Sequence, residues 1–582
     1  MLKNNSEEQN RQKPSGMLKR SRSAWFLSRY AKGSANDTGY MRGYIVWGLM
    51  FGAVALLILF TAIRQFFPDE RVVQRGESQY WGKMNISASR GEILDRRDSP
   101  LAISVPTVLF FIDPKNWDVQ NAPMLREFFG EGMVRKFSQV LPGRYQIVKR
   151  NVRLDSAKRI IERKIPGLSF KHENLRVYPH GSLAFHILGY CDIDGHGQAG
   201  LEYAWDNLLF IQSQEFTTAR MSKRSSDGYG GDVLDEISRI KLTLDVRFQE
   251  ILEANLALAG KESNVKWATG VIMNPKTGEV LAMASYPTAD GNTRHFSSPL
   301  VMMNNAVGRN YEPGSIFKPI SMSIAIELGG TNKDMTYTCH GSMPLYDKVI
   351  HDVNNHAHGH QTLHQVLMNS CNIGMSLMAE KCPHYDAYKM LVQYGFGRKS
   401  GIDTAGEEAG LLRKPEEWRG TVTANTFIGQ GIGVTAMQMV TAMSAIANGG
   451  KIFKPYIVDT VYGRDGKIVY KGRSKVRYQV ISKETANFIR AGMEQVVAAG
   501  GGRAAKSKTV EIAGKTGTAQ VAEHGQYIKG RHNASFIGMW PASAPEYVMV
   551  ITLGEPTGGR YYGGQIAAPC FKKIVEEIEK VE

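Results

Sequence analysis

Residues Tyr44 to Ile63 form an uncharged run rich in Leu, Ile, Val, Phe and Ala. As a helix the run is about 30 Å long, enough to cross the hydrocarbon core of a bilayer. It has no polar face, which argues against a core helix of a globular domain. It is long for a signal-peptide core and no small-residue cleavage site follows, so it reads as a permanent single-pass anchor. Residues 1–43, with Lys19-Arg20-Ser21-Arg22 near the middle, read as a polar, disordered tail. Arg29, Lys32 and Arg42 on one side of the run balance Arg64, Arg71 and Arg75 on the other. Only the longer N-terminal tail tips the positive-inside rule, toward a cytoplasmic N-terminus. About 520 residues then lie across the membrane.

A chain of 582 residues is too long for one domain and implies two to four. With 43% hydrophobic and 22% charged residues it has material for ordinary cores. The net charge of +16 suits an anionic partner, but residues 1–43 hold nine Lys/Arg against three Asp/Glu. The remaining excess is spread without a basic run or interleaved aromatics, which excludes nucleic-acid binding as the working assumption. Five scattered cysteines, Cys191, Cys339, Cys371, Cys382 and Cys570, are not a disulfide framework and read as buried thiols. A Cys371–Cys382 bridge is disfavoured, because eleven residues on a continuous helix separate them by about 16 Å.

Residues 64–238 mix short strand-like runs with polar turns, predicting a mixed α/β domain. Its two prominent pieces, around Arg90-Gly91-Glu92 and from Arg176 through Tyr178 to Glu202, hold no nucleophile beside a base. Their charges read as a structural ion-pair network. A second domain, 239–582, opens with a predicted hairpin, Ala268–Met273 and Glu279–Ser285 about the turn Asn274-Pro275-Lys276-Thr277-Gly278. Helices are predicted from Ser315 to about Leu328, over Thr362–Met378, from Thr435 to Asn448 and over Ile566–Lys580. Thr435 with Gln438 forms a capping-box pattern, and Gly449-Gly450 the stop. Strands are predicted at Val510–Ala513 leading into Lys515, at Ala534–Met539 and at Tyr547–Leu553.

The chemistry concentrates in Tyr311-Glu312-Pro313-Gly314-Ser315-Ile316-Phe317-Lys318-Pro319. Ser315 and Lys318, three apart at a helix start, share a face, so the amine can serve as base to the hydroxyl. Free amides at a helix start favour developing negative charge. Ser-x-x-Lys alone is weak, and Ser263-Asn264-Val265-Lys266 matches it too. Lys276-Thr277-Gly278 is a hairpin turn, and Ser34-Ala35-Asn36 lies in the tail. The set Ser315/Lys318, then Ser370/Asn372, then Lys515-Thr516-Gly517 differs in its order and setting. Together these supply a nucleophile, a base, a proton relay and a carboxylate-binding edge. Six histidines (His340, His351, His356, His358, His360, His364) with Cys339 and Asp352 are zinc-capable ligands. Their polar, loop-like setting favours a solvated or structural loop, and no metal is assigned.

This set resembles that of the class B penicillin-binding proteins, the monofunctional D,D-transpeptidases of bacterial cell-wall synthesis. The resemblance implies a multidomain α+β fold: a transmembrane anchor at 44–63, a non-catalytic pedestal at 64–238, and a transpeptidase domain at 239–582. In that domain an antiparallel sheet is flanked by helices and joined by a mainly helical subdomain. It implies that Ser315 attacks the carbonyl between the terminal D-alanines of a stem peptide, with Lys318 as base and Ser370 relaying a proton. Asn372 would hold the substrate amide, while Lys515, Thr516 and Thr518 bind the terminal carboxylate beside Gly517. The backbone N–H groups of Ser315 and Thr518 would hold the oxyanion. No cofactor is implied. Implied partners are peptidoglycan stem peptides, β-lactams, a membrane glycosyltransferase and other division proteins, in the bacterial inner membrane with the catalytic domain outside. The Tyr311–Ser315 stretch, Gly429-Gln430-Gly431 and Tyr562-Gly563-Gly564 look more like the division branch than the elongation branch. Two departures are Cys371 inside the second motif and the lack of Asp-Pro-Asn near Gly291-Asn292-Thr293. A β-lactamase or β-lactam sensor, a D,D-carboxypeptidase and an idle division scaffold are the rivals.

Overall fold

The computed structural model describes residues 38–66, 81–85, 89–139, 145–211, 215–219, 238–293, 296–463, 465–523 and 525–582. The tail expected at 1–43 lies outside these except for its last six residues, which begin a helix. That helix, Thr38–Phe66, contains the apolar run, whose mean hydropathy is 2.4 over Tyr44–Ile63. Its side chains there are exposed, as a membrane-facing helix requires.

The C-terminal half is built on a five-stranded sheet, all antiparallel. Its order is Val280–Tyr286, Trp267–Met273, Tyr547–Gly554, Gln526–Trp540, Ala513–Glu523. Alternate residues feed two cores. Ala268, Ile272, Phe536, Met549 and Ile551 pack on the helices Val246–Glu262 and Gly563–Val581. Val271, Met273, Ile537, Val548 and Val550 face the opposite core, shared with Phe317, Ile320, Met437 and Val440. Covered on both faces, the strands Trp267–Met273 and Tyr547–Gly554 are buried along their whole length. The helix Ala436–Asn448 has the capping box at Thr435/Gln438, and Gly449 ends it at φ +82°.

The helix predicted over Thr362–Met378 is two helices, Leu363–Met368 and Asn372–Ala379. Between them Ser370 sits at φ +57°, left-handed, and the Cys371 sulfur accepts from Gly374 N–H to start the second helix. The break is what turns the Ser370 hydroxyl toward the site. Residues 89–211 contribute strands to a second sheet, in which Arg239–Leu242 pairs in parallel with Glu92–Leu94 and antiparallel with Val458–Tyr462. This sheet therefore takes strands from both halves of the sequence. The charged network predicted there is present: Glu202, fully buried, accepts from Arg90 and, at 2.6 Å, from Arg176. Arg90 also reaches Asp206 at 2.5 Å, and Tyr178 hydroxyl donates to Glu202 at 3.2 Å.

Candidate active site

Gly314–Phe317 is a single 3-10 turn running into the helix Lys318–Glu327, so Ser315 stands at the mouth of a helix. Pro319 occupies the first helical turn, where no N–H is needed. Gly314 has φ +56°, a conformation that favours glycine, and its N–H donates to Gly429 carbonyl at 2.9 Å. A Cβ on Gly429 would stand 2.1 Å from Gly314 carbonyl oxygen, so the Gly429–Gly431 loop lies directly on the Ser315 turn. Gly431 N–H and Tyr527 hydroxyl both donate to Glu312, at 2.9 and 3.0 Å. Sequence reasoning gave Glu312 no role, and its half-buried carboxyl now ties that loop to the turn.

On the other side the Lys515 strand closes on Ser315. A Cβ on Gly517 would lie 2.9 Å from Ile316 Cγ2 and 3.1 Å from Pro313 carbonyl oxygen. Only glycine allows that approach. Thr518 Oγ1 accepts from Gly563 N–H at 3.0 Å, linking this strand to the C-terminal helix. The strand is the last in its sheet, with no strand on its outer edge among the described residues.

Lys318, 0% exposed, does not donate to Ser315. Its Nζ donates to the Ser370 carbonyl, to Asn372 Oδ1 at 2.7 Å and, at 3.4 Å, to Ser370 Oγ. Lys515 Nζ donates to the same Ser370 Oγ at 2.9 Å and to Thr516 carbonyl at 3.0 Å. Ser370 hydroxyl thus bridges two buried amines. Ser315 Oγ makes no hydrogen bond among the described residues, so the nucleophile–base contact expected from helix spacing is replaced by a three-group cluster beside it. Asn372 is held at both ends, its Nδ2 donating to His351 carbonyl at 2.9 Å. Each end keeps one further hydrogen-bonding position for a ligand.

Burial pushes Lys318 down to about 8, against an opposing pull from the charges of Asp352 and Cys371. Burial, and then repulsion by Lys318, lowers Lys515 well below its ordinary value. Two ammonium groups in so small a volume repel, so burial and repulsion together favour the neutral amines. At Lys318 the lowering comes from desolvation, and the repulsion between the two amines is felt at Lys515.

The decoys lie elsewhere. Ser263 ends the helix Val246–Glu262, and Lys276 sits in the hairpin turn. Behind Asn372, Asp352 Oδ1 accepts from Asn372 N–H at 3.3 Å and Val353 N–H at 2.9 Å. In the loop read as solvated or structural, His340, His351, His356 and His360 are exposed, whereas Asp352 and Cys339 are buried.

Residues 268–576 match the penicillin binding protein transpeptidase domain, and residues 85–210 match the penicillin-binding protein dimerisation domain. Stage V sporulation protein D of Bacillus subtilis is 34% identical over 92% of this chain and 85% of its own length. Peptidoglycan D,D-transpeptidase FtsI of Escherichia coli is 28% identical over 91% and 90%. The crystal structure of penicillin binding protein 3 from Mycobacterium tuberculosis superposes with a TM-score of 0.65, at 27% identity, covering 86% of this chain and 97% of that one. A serine turn flanked by two buried lysines, on a domain pair of this kind, identifies the chain as a class B penicillin-binding protein, a peptidoglycan D,D-transpeptidase.

Proposed function

We propose that this transpeptidase works through an acyl-enzyme at Ser315, cross-links stem peptides during septal wall synthesis, and is acylated by β-lactams. The observation that carries it is the Ser370 hydroxyl held between Lys318 and Lys515 beside the Ser315 turn. The D-Ala carboxylate binds at Lys515, Thr516 and Thr518, and Lys318 acts as the neutral amine that its burial favours. Lys318 then takes the Ser315 proton as Oγ attacks the D-Ala-D-Ala carbonyl. The oxyanion is held by the N–H groups of Ser315 and Thr518. Ser370 passes a proton to the leaving D-alanine nitrogen, and Asn372 holds the substrate amide. The stem peptide lies along the outer edge of the Lys515 strand, extending Gly517's sheet by one strand. A second strand's amine attacks the ester and regenerates Ser315.

The tail at 1–43, the anchor at 44–63, the pedestal at 64–238 and the transpeptidase domain at 239–582 give an inner-membrane, single-pass protein with its catalytic domain outside. The apolar helix and the two domain matches support that division. The septal role is supported by the FtsI relative, and acylation by the tuberculosis homologue solved with aztreonam and ampicillin. Septal work implies a membrane glycosyltransferase and other division proteins as partners. The sporulation relative favours a second reading, a specialised envelope such as a spore wall. Depletion decides between them: filamentous cells with less cross-linked septal wall support the septal role, and normal division with defective spores supports the second.

A further inference from the structure

We propose that Glu312 is a specificity-determining residue, whose carboxylate receives a cationic amine on the side chain of the stem-peptide residue preceding D-Ala-D-Ala. This assignment rests on the acyl-enzyme at Ser315 and on the peptide lying along the outer edge of the Lys515 strand. Glu312 stands three residues before Ser315, on the same turn. Its Oε1 accepts from Gly431 N–H at 2.9 Å, and Tyr527 hydroxyl donates to Oε2 at 3.0 Å and to Oε1 at 3.3 Å. Oε2 therefore keeps a lone pair for a further donor. No Lys, Arg or His pairs with this carboxylate among the described residues. Glu523, at the end of the neighbouring hairpin, is by contrast held by Arg531 at 2.6 Å.

Tying the Gly429–Gly431 loop to the turn does not by itself require a charge. A glutamine would accept the same hydrogen bonds through its amide oxygen, without the cost of burying a carboxylate. Burial pushes Glu312 above its ordinary value, against the pull of the Gly431 and Tyr527 donors. Burial and the Glu312 charge push the Tyr527 phenol up in turn, so it stays a neutral donor. An arriving cation relieves the penalty on the carboxylate.

The position fits the residue before the D-alanines. The strand Ala513–Glu523 lies against the Ser315 turn at Gly517, where an added Cβ would stand 3.1 Å from Pro313 carbonyl oxygen. It touches again at Ala519, whose Cβ would be 3.1 Å from a Cβ on Gly314. Farther along, Ala522 pairs with Tyr527, the residue that holds Glu312. Ala513 and Gly514 are buried, whereas Gln520, Ala522 and Glu523 are exposed, so the open end of this edge is the one beside Glu312. A peptide with its carboxylate at Lys515, Thr516 and Thr518 therefore runs antiparallel to the strand, back toward Ala522. At about 3.4 Å per residue, the residue before the D-alanines comes beside residues 519–521, where an amine on a lysine-length side chain reaches Glu312. The substrate class is a stem peptide with a diamino acid at that place.

The test measures turnover of two acyl donors by the full chain in detergent. One is Nα-acetyl-lysyl-D-alanyl-D-lactate with its ε-amine free, and the other is the same ester with that amine acetylated. Release of D-lactate gives kcat/KM for each. The free amine should be favoured at least about tenfold, and Glu312→Gln should bring the two donors within about twofold of each other. In the unaltered chain the preference should also shrink at least about threefold between about 0.05 and 0.5 M salt, which decides if the variant fails to fold. Equal rates for the two donors, a preference that survives in Glu312→Gln while both donors slow, or a preference indifferent to salt overturns the assignment. Labelling of Ser315 by a penicillin in the same preparation separates the two levels. Intact labelling without a preference for the free amine overturns the role of Glu312 alone, and a folded chain that is not labelled overturns the acyl-enzyme and this role with it.

Discussion

Titrating acylation by a penicillin from pH 6 to 10 probes the buried lysine pair directly. Lys318 is fully buried and lowered from 10.5 to about 8, a difference worth roughly 3 kcal/mol against its charged form. The neutral amine therefore becomes the major species above pH 8. The second-order acylation rate, which reports the free enzyme, should rise about tenfold between pH 7 and 9 and then level off. An unshifted lysine would give a rise of about a hundredfold over the same range with no plateau by pH 9. The stability has a matching sign. A lysine with a depressed folded value binds fewer protons folded than unfolded between about 8 and 10.5, so stability rises with pH in that window and is lost as pH falls through 8. Replacing Lys318 by Met should remove that rise from a pH series of chemical denaturations and reduce acylation by at least about a thousandfold. A rate that climbs with unit slope to pH 10, or rapid acylation of the Met variant, would refute the assignment of Lys318 as base.

Ser370→Ala removes the hydroxyl that Lys318 and Lys515 share. It should slow acylation about a hundredfold or more while leaving the thermal midpoint nearly unchanged. Gly563→Ala would place a Cβ 2.3 Å from Gly517 carbonyl oxygen and 2.4 Å from that of Ser535. It should displace the Lys515 strand, costing about 1–3 kcal/mol in denaturant melts and most of the activity. Glu202→Gln leaves Arg90 and Arg176 without their buried carboxylate, and should destabilise the domain by about 3–5 kcal/mol, measured by the same melts.

Much of this architecture was legible because each signal had a local cause. The anchor is a length of apolar chain, the hairpin at Lys276 is a Pro/Gly turn, and the helix at Thr435 carries its own cap and stop. The break at Ser370 was not, because Asn369-Ser370-Cys371 contains neither glycine nor proline and the left-handed residue is held by tertiary contacts. The sheet joining Glu92–Leu94 to Arg239–Leu242 and Val458–Tyr462 was hidden too, since pairing over hundreds of residues leaves no local period. At the site, helix spacing placed Lys318 near Ser315 but could not show that Ser370 and Asn372 compete for its amine. Cys371 was read as a neutral departure, yet it faces Cys339, Asp352 and His358. Their convergence depends on ribbons whose pairing the polar sequence there does not announce.

The most direct test of the central claim is intact-mass analysis of the full chain after brief exposure to a penicillin, with peptide mapping of the adduct. A persistent ester on Ser315, absent from Ser315→Ala and slowed in Lys318→Met, is the predicted result. Rapid turnover without a lasting adduct, an adduct on another residue, or none on a folded chain would contradict it.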